Sequence, residues 1–204
     1  IYFNVLAKEV PVILILDIAY IDMEKDEKSR LFFSLIDRIN KNIMILICFS
    51  ASKLLGIYGY RVGALIAITR DKQDIEDFKK SIPSVIRTSW SMANKGMAAS
   101  IPYILNDKQL EQEVKNNNEM LYKRGQYFYQ KLKNIGLDPL PYKAGFFVTV
   151  DTHKNAREIT EKLKDKNVYV VPLKKRYLRI AICSTPFKKL DILADALYEC
   201  INKE

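Results

Sequence analysis

A lysine stands where a long apolar run stops. Ile43-Met-Ile-Leu-Ile-Cys-Phe49 leads into Ser50-Ala-Ser-Lys53, and then into a stretch with glycines at 56, 59 and 63 and an arginine at 61. Seven apolar residues in a row predict a strand buried on both faces. An amine placed directly after such a strand sits at its carboxyl end, the edge where open α/β sheets bind ligands. The three glycines allow a tight loop, so the backbone and the Arg61 guanidinium can approach a phosphate closely. Hydroxyls, a fixed guanidinium and one partly sheltered amine suit a phosphorylated carbonyl compound. Lys53 would condense with the aldehyde while Ser50 and Arg61 hold the phosphate. The plainer reading of the same residues is a strand exit with a solvated lysine.

A second apolar run, Val12-Ile-Leu-Ile-Leu16, follows Pro11 and ends on Asp17-Ile-Ala-Tyr20. An acid at the end of an apolar strand needs a cationic partner or hydrogen bonds to offset its desolvation. For a lone aspartate, capping the next loop is reason enough. Here a second strand ends on Lys53, so the two groups can share one crevice. Between the runs, Ser29 to Lys41 carries apolar residues at 31, 32, 35, 36 and 39, a helical spacing with Ser29 as N-cap. Strand, helix, strand then reads as a right-handed crossover that puts Asp17 and Lys53 at the same sheet edge.

The rest of the chain supplies the elements around these groups. Residues 1–9 read as the tail of a helix and 64–69 as a third strand. A helix from Asp71 is expected to stop before Pro83, leaving Ser84 to Asn94 as a polar loop that holds Arg87 and the single Trp90. Helices are expected over 95–106 and, as a long amphipathic one ended by Gly136, over 107–135. Short strands (146–150, 168–171, 178–183) and helices (155–166, 186–203) follow. The domain change is placed along the long helix, giving domains 1–114 and 115–204. There is no internal repeat.

The chain has 204 residues, 49% hydrophobic and 28% charged, the composition of a folded globular protein. Its apolar runs are far too short to span a membrane. The formal net charge of +9 is interleaved with acids, as in Glu161-Lys-Leu-Lys-Asp-Lys166, and reads as a solvated lysine-rich surface, not a nucleic-acid site. Cys48, Cys183 and Cys200 are odd in number and set among apolar residues, as expected of reduced thiols in the cytoplasm. The single histidine, His153, excludes a His-ligated metal cluster and argues against a Ser-His-Asp triad. The chain starts on Ile without a leader pattern, and is expected to be part of a longer protein.

Taken in order, five segments resemble the fold-type I pyridoxal-phosphate enzymes, specifically the aspartate and aromatic branch of the class I aminotransferases. They are Asp17-Ile-Ala-Tyr20, Ser50-Ala-Ser-Lys53, Gly59-Tyr-Arg61-Val-Gly63, Arg87-Thr-Ser-Trp90-Ser91 and Tyr177-Leu-Arg179-Ile180. The resemblance implies an α/β fold. It would comprise part of a large cofactor-binding domain, with a mainly parallel sheet and helices, and a small α+β domain beginning in a connecting helix. It also implies pyridoxal 5'-phosphate as cofactor, bound covalently by Lys53. Asp17 would face the ring nitrogen, Tyr20 the ring hydroxyl, and Ser50 and Arg61 the phosphate. Arg179 would take the substrate α-carboxylate, and Arg87, reaching from a partner subunit, a side-chain carboxylate. The reaction implied is amino transfer between an amino acid (aspartate, glutamate or aromatic) and a 2-oxo acid, in a cytoplasmic homodimer without nucleic-acid or membrane partners.

The likeness covers only the second half of a family member, without the first half's phosphate loop, stacking aromatic and ring-hydroxyl asparagine. After Ser91 the chain has Met92-Ala-Asn94 where the family carries an Asn-Pro-Pro turn. The same lysine and aspartate would also serve a β-eliminating lyase acting on sulfur amino acids. A truncated chain that folds without turnover is the non-enzymatic alternative.

Overall fold

The computed structural model describes residues 2–23 and 27–202. Ile1 and Lys203, the outer ends of the first and last expected helices, lie outside the described residues. The chain separates into two units, 1–115 and 116–204.

In the first unit, helix α1 (Tyr2–Leu6) precedes strand β1 (Val12–Asp17). A 3-10 helix over Glu27–Arg38 then crosses to β2 (Ile43–Ser50), which runs parallel to β1 in register from Val12↔Ile43 to Asp17↔Cys48. The expected helix between the strands is thus wound more tightly than an α-helix, but it still delivers Phe33, Ile36 and Ile39 onto the sheet. Short helix α2 (Ala51–Leu54) follows β2 directly, and β3 (Gly63–Ile68) returns antiparallel to it.

Burial on both faces is not what the strands show. Ile43, Ile45 and Ile47 are buried on one face of β2, while in β1 Ile13 and Ile15 are 62% and 67% exposed. One side of the sheet is covered by the 3-10 helix, and no described residue covers Ile13 and Ile15. A continuous apolar run matches burial on both faces only when a second layer is present.

Helix α3 runs from Lys72 to Ser89, straight through Pro83, so the expected break does not occur and residues 84–89 are helical. Asp71 starts it by accepting a hydrogen bond from the Gln73 amide at 2.7 Å. Pro83 deprives the Lys79 carbonyl of its partner, and Pro102 in α4 (Lys95–Asn106) does the same to Ala98. Both residues are exposed, so water can take the lost bond and the helices persist.

Helix α5 (Lys108–Asn134) leads into the second unit, and Gly136, at φ 80, ends its last turn in the left-handed region. The four-stranded sheet there has the order β4-β5-β7-β6, antiparallel throughout, with β4 at Asp138–Pro139, β5 at Phe147–Asp151, β6 at Val171–Leu173 and β7 at Tyr177–Ala181. Helix α6 (Ala156–Lys164) and helix α7 (Phe187–Asn202) complete the unit. Phe128, Leu132, Val148, Val150, Leu163, Leu178, Ile180, Leu190 and Leu197 are fully or almost fully buried in one core. Val168 and Val170 pack against this core, and the strand begins only at Val171. Tyr142 lies over Gly125 of α5, where any side chain would collide with its ring, and its hydroxyl donates to the Gly145 carbonyl at 2.9 Å. Burial, with a smaller contribution from Tyr122, pushes its ionisation up to about 12.

Candidate active site

Parallel pairing of β1 and β2 brings Asp17 and Ser50 to the same end of the first sheet. Asp17 is the last residue of β1 and pairs with Cys48, two residues before Ser50 and five before Lys53. Its Oδ1 accepts a hydrogen bond from the Ala19 amide at 3.0 Å, which holds the carboxylate at the strand end. Tyr20 follows in the turn, its carbonyl accepting from the Met23 amide, and the 3-10 turn Ile21–Met23 contacts α2.

Ser50 is extended (φ −129) at the N-cap of α2, yet its hydroxyl makes no capping bond. Lys53, half-buried on α2, places its Nζ 4.6 Å from the centre of the Tyr58 ring, and the Arg61 guanidinium lies 4.8 Å from the same centre. Arg61 adopts a left-handed backbone (φ 53, ψ 52) and donates to the Tyr58 carbonyl at 3.2 Å. Gly63 is required by a close approach, because a Cβ there would stand 2.5 Å from the Phe49 carbonyl oxygen. At Gly56 and Gly59 a Cβ would meet nothing within 4 Å, so the loop borders open space. Tyr58 was not singled out by sequence; its position between Gly56 and Gly59 was the available signal.

Arg87 stands in the last turn of α3, exposed, and not in a loop. Trp90, at the end of that helix, is 62% exposed and does not anchor a core. In the second unit Arg179 lies on β7, its guanidinium 4.5 Å from the centre of the Phe147 ring. Its Nε is buried and has no hydrogen-bond partner among the described residues. The sequence reading also missed a cluster in which Asp138, Asp151 and His153 converge. His153 Nε2 lies 3.0 Å from Asp138, and Asp151, 3% exposed, pairs with Arg176 at 2.7 Å. These groups satisfy one another across β4, β5 and the loop after β5.

The family description "Aminotransferase class I and II" matches residues 4–197, and the chain belongs to this family. It is similar to the cytoplasmic aspartate aminotransferase of Gallus gallus, 25% identical over 163 residues, which are 76% of this chain and 38% of the relative. It is also similar to a histidinol-phosphate aminotransferase of Clostridium botulinum (strain Okra), 28% identical over 98% of this chain and 52% of the relative. Among solved structures, an aminotransferase from Anaerococcus prevotii superposes with a TM-score of 0.85 at 30% identity, covering 99% of this chain and 51% of that one. The chain thus spans about half the length of these relatives or less. Among the described residues, no helix is long and apolar enough to cross a membrane.

Proposed function

We propose that this chain is the cofactor-anchoring half of an aminotransferase that moves amino groups between an amino acid (aspartate, glutamate or aromatic) and a 2-oxo acid. The observation that carries the reading is the placement of Asp17 and Lys53 at the same end of two parallel strands, with Arg61 held beside Lys53. The donor set fits pyridoxal phosphate. The Ser50 hydroxyl is not spent on capping, and the loop glycines leave space.

When bound, that cofactor supplies an electron sink for bond breaking at the substrate α-carbon. Lys53 Nζ tethers it and then carries the proton to and from the α-carbon. Asp17 keeps a proton on the ring nitrogen, and Tyr20 donates a hydrogen bond to the ring hydroxyl oxygen. Ser50 and Arg61 bind the phosphate, the arginine as a two-pronged donor. Arg179 fixes the α-carboxylate in a planar fork that a lysine does not reproduce. Arg87, exposed on α3, reaches a side-chain carboxylate in the site of the partner copy, which makes the working unit a homodimer. Three free cysteines support a reducing, cytoplasmic setting.

The test is a visible spectrum of the chain with pyridoxal phosphate, alone and with the first half of the Anaerococcus prevotii aminotransferase, before and after borohydride reduction. A reducible band with the label on Lys53, and amino transfer from aspartate, is the expected result. A folded chain showing neither in the complemented mixture overturns the proposal. The similarity to histidinol-phosphate aminotransferases supports a second reading of the substrate, separated by comparing aspartate with histidinol phosphate as amino donor.

A further inference from the structure

The positive charge that looks evenly spread in the sequence is gathered in the second unit. Lys154, Arg157, Lys174, Lys175 and Arg176, all exposed, line one open surface cavity of about 640 Å3 together with Asn155. Among the described residues, no acidic and no apolar one shares this lining. The two segments that form it are tied to each other. The Ala156 amide donates to the Lys175 carbonyl at 2.8 Å, and the Thr152 hydroxyl to the Arg176 carbonyl at 2.8 Å. Arg176 is anchored by the buried Asp151. The first helical amides of α6 are already satisfied, by Lys175 and by the Asn155 side chain, so a ligand here would be read by side chains.

The charge is also costly to place. The connection between β6 and β7 is Lys174-Lys175-Arg176, three residues and all cationic. Lys174 has φ 51, a backbone region usually occupied by glycine or asparagine. Like charges packed into one turn repel one another, and among them Arg176 is the one that pairs with Asp151. An occupant borders residues that carry all five cations, so their attractions add and weaken together in salt.

We propose that this cavity is a binding site for a soluble small molecule carrying several phosphate groups. All six lining residues are exposed, so an occupant is held at the surface by charge and not by enclosure. The lining has no aromatic surface on which a base could stack, so it recognises clustered anionic charge and not a ring. The site lies wholly in the second unit, and its reading does not depend on the proposed transfer reaction.

The test is calorimetric titration of the full chain with inorganic tripolyphosphate at low and high salt. Saturable binding, one molecule per chain and weaker in salt, is expected. Lys174→Glu with Lys175→Glu weakens it by about tenfold or more, and the gentler Lys174→Gln with Lys175→Gln weakens it less, both variants being checked for fold by circular dichroism. Arg61→Ala, which alters the phosphate cradle proposed in the first unit, leaves it in place. Absence of saturable binding, binding unchanged by the double variants, or binding lost with Arg61→Ala overturns the proposal. So does tighter binding of duplex DNA or anionic-lipid vesicles that tripolyphosphate fails to displace.

Discussion

Lys53 and Arg61 lie against one tyrosine ring, 4.6 Å and 4.8 Å from the centre of Tyr58. Eight residues apart in sequence, the two cations share one ring, whose faces carry partial negative charge. The ring is thus a contact common to the proposed covalent anchor and the proposed phosphate ligand.

Removing the ring takes away that common contact without removing either group. Tyr58→Leu is expected to keep the borohydride-stable label on Lys53 but to weaken pyridoxal-phosphate binding by about 2- to 5-fold, the equivalent of one exposed cation–π contact. Lys53→Ala abolishes the label altogether. Absorbance titration followed by peptide mapping separates the two outcomes.

Gly63 is held to its residue type by the Phe49 carbonyl. Gly63→Ala forces β3 away from β2 and lowers stability by about 1–3 kcal/mol. Gly59→Ala, with open space around it, serves as the control and changes stability by less than ~0.5 kcal/mol. Urea unfolding of both variants makes the comparison.

Arg179 offers a fork with a buried, unpartnered Nε among the described residues. Arg179→Lys in the complemented enzyme is expected to raise KM for the amino acid by about 10- to 100-fold, in line with the loss of charge-assisted hydrogen bonds. Steady-state kinetics reads this, and an unchanged urea midpoint would show that the loss is not one of folding.

Tyr142 gives the second unit a pH dependence at the alkaline end. Its folded ionisation is raised to about 12 from the ordinary tyrosine value of about 10, so the folded state holds the proton more tightly than the unfolded chain. The resulting stability is complete below about pH 10 and is lost as pH rises toward 12. Tyr142→Phe removes that slope and, by losing the bond to Gly145, lowers stability at pH 7 by about 1 kcal/mol. Urea unfolding between pH 8 and about 11 for both proteins checks the sign.

Much of the first unit was legible because its signals are local. Two apolar runs ending on Asp17 and on Ser50-Ala-Ser-Lys53 announce strands with polar ends, and the intervening periodicity announces a crossover. What was not legible depends on surroundings. Pro83 ends a helix only if the carbonyl it frees has no other partner, and sequence does not show that Lys79 faces water. Nor does it show that Ile13 and Ile15 are left uncovered. In the second unit Val168 and Val170 carry the alternation of a strand, yet they fill the core without joining the ladder. The basic cavity was invisible for a related reason: its two halves lie about twenty residues apart, and they are joined by the pairing of β5 with β7 and by the hydrogen bonds from Ala156 to Lys175 and from Thr152 to Arg176.

The open face of β1 has one more consequence, for the handling of the protein. Val12 to Leu16 is a β-branched and aliphatic edge segment with no charge, and segments of this kind template stacking between chains. It is bracketed by Pro11, which cannot extend a ladder, and by Asp17, whose charge opposes stacking in register. Asp17 thus sets a charge at the end of this apolar segment as well as serving the proposed ring-nitrogen contact. Neutralising it would change solubility along with chemistry.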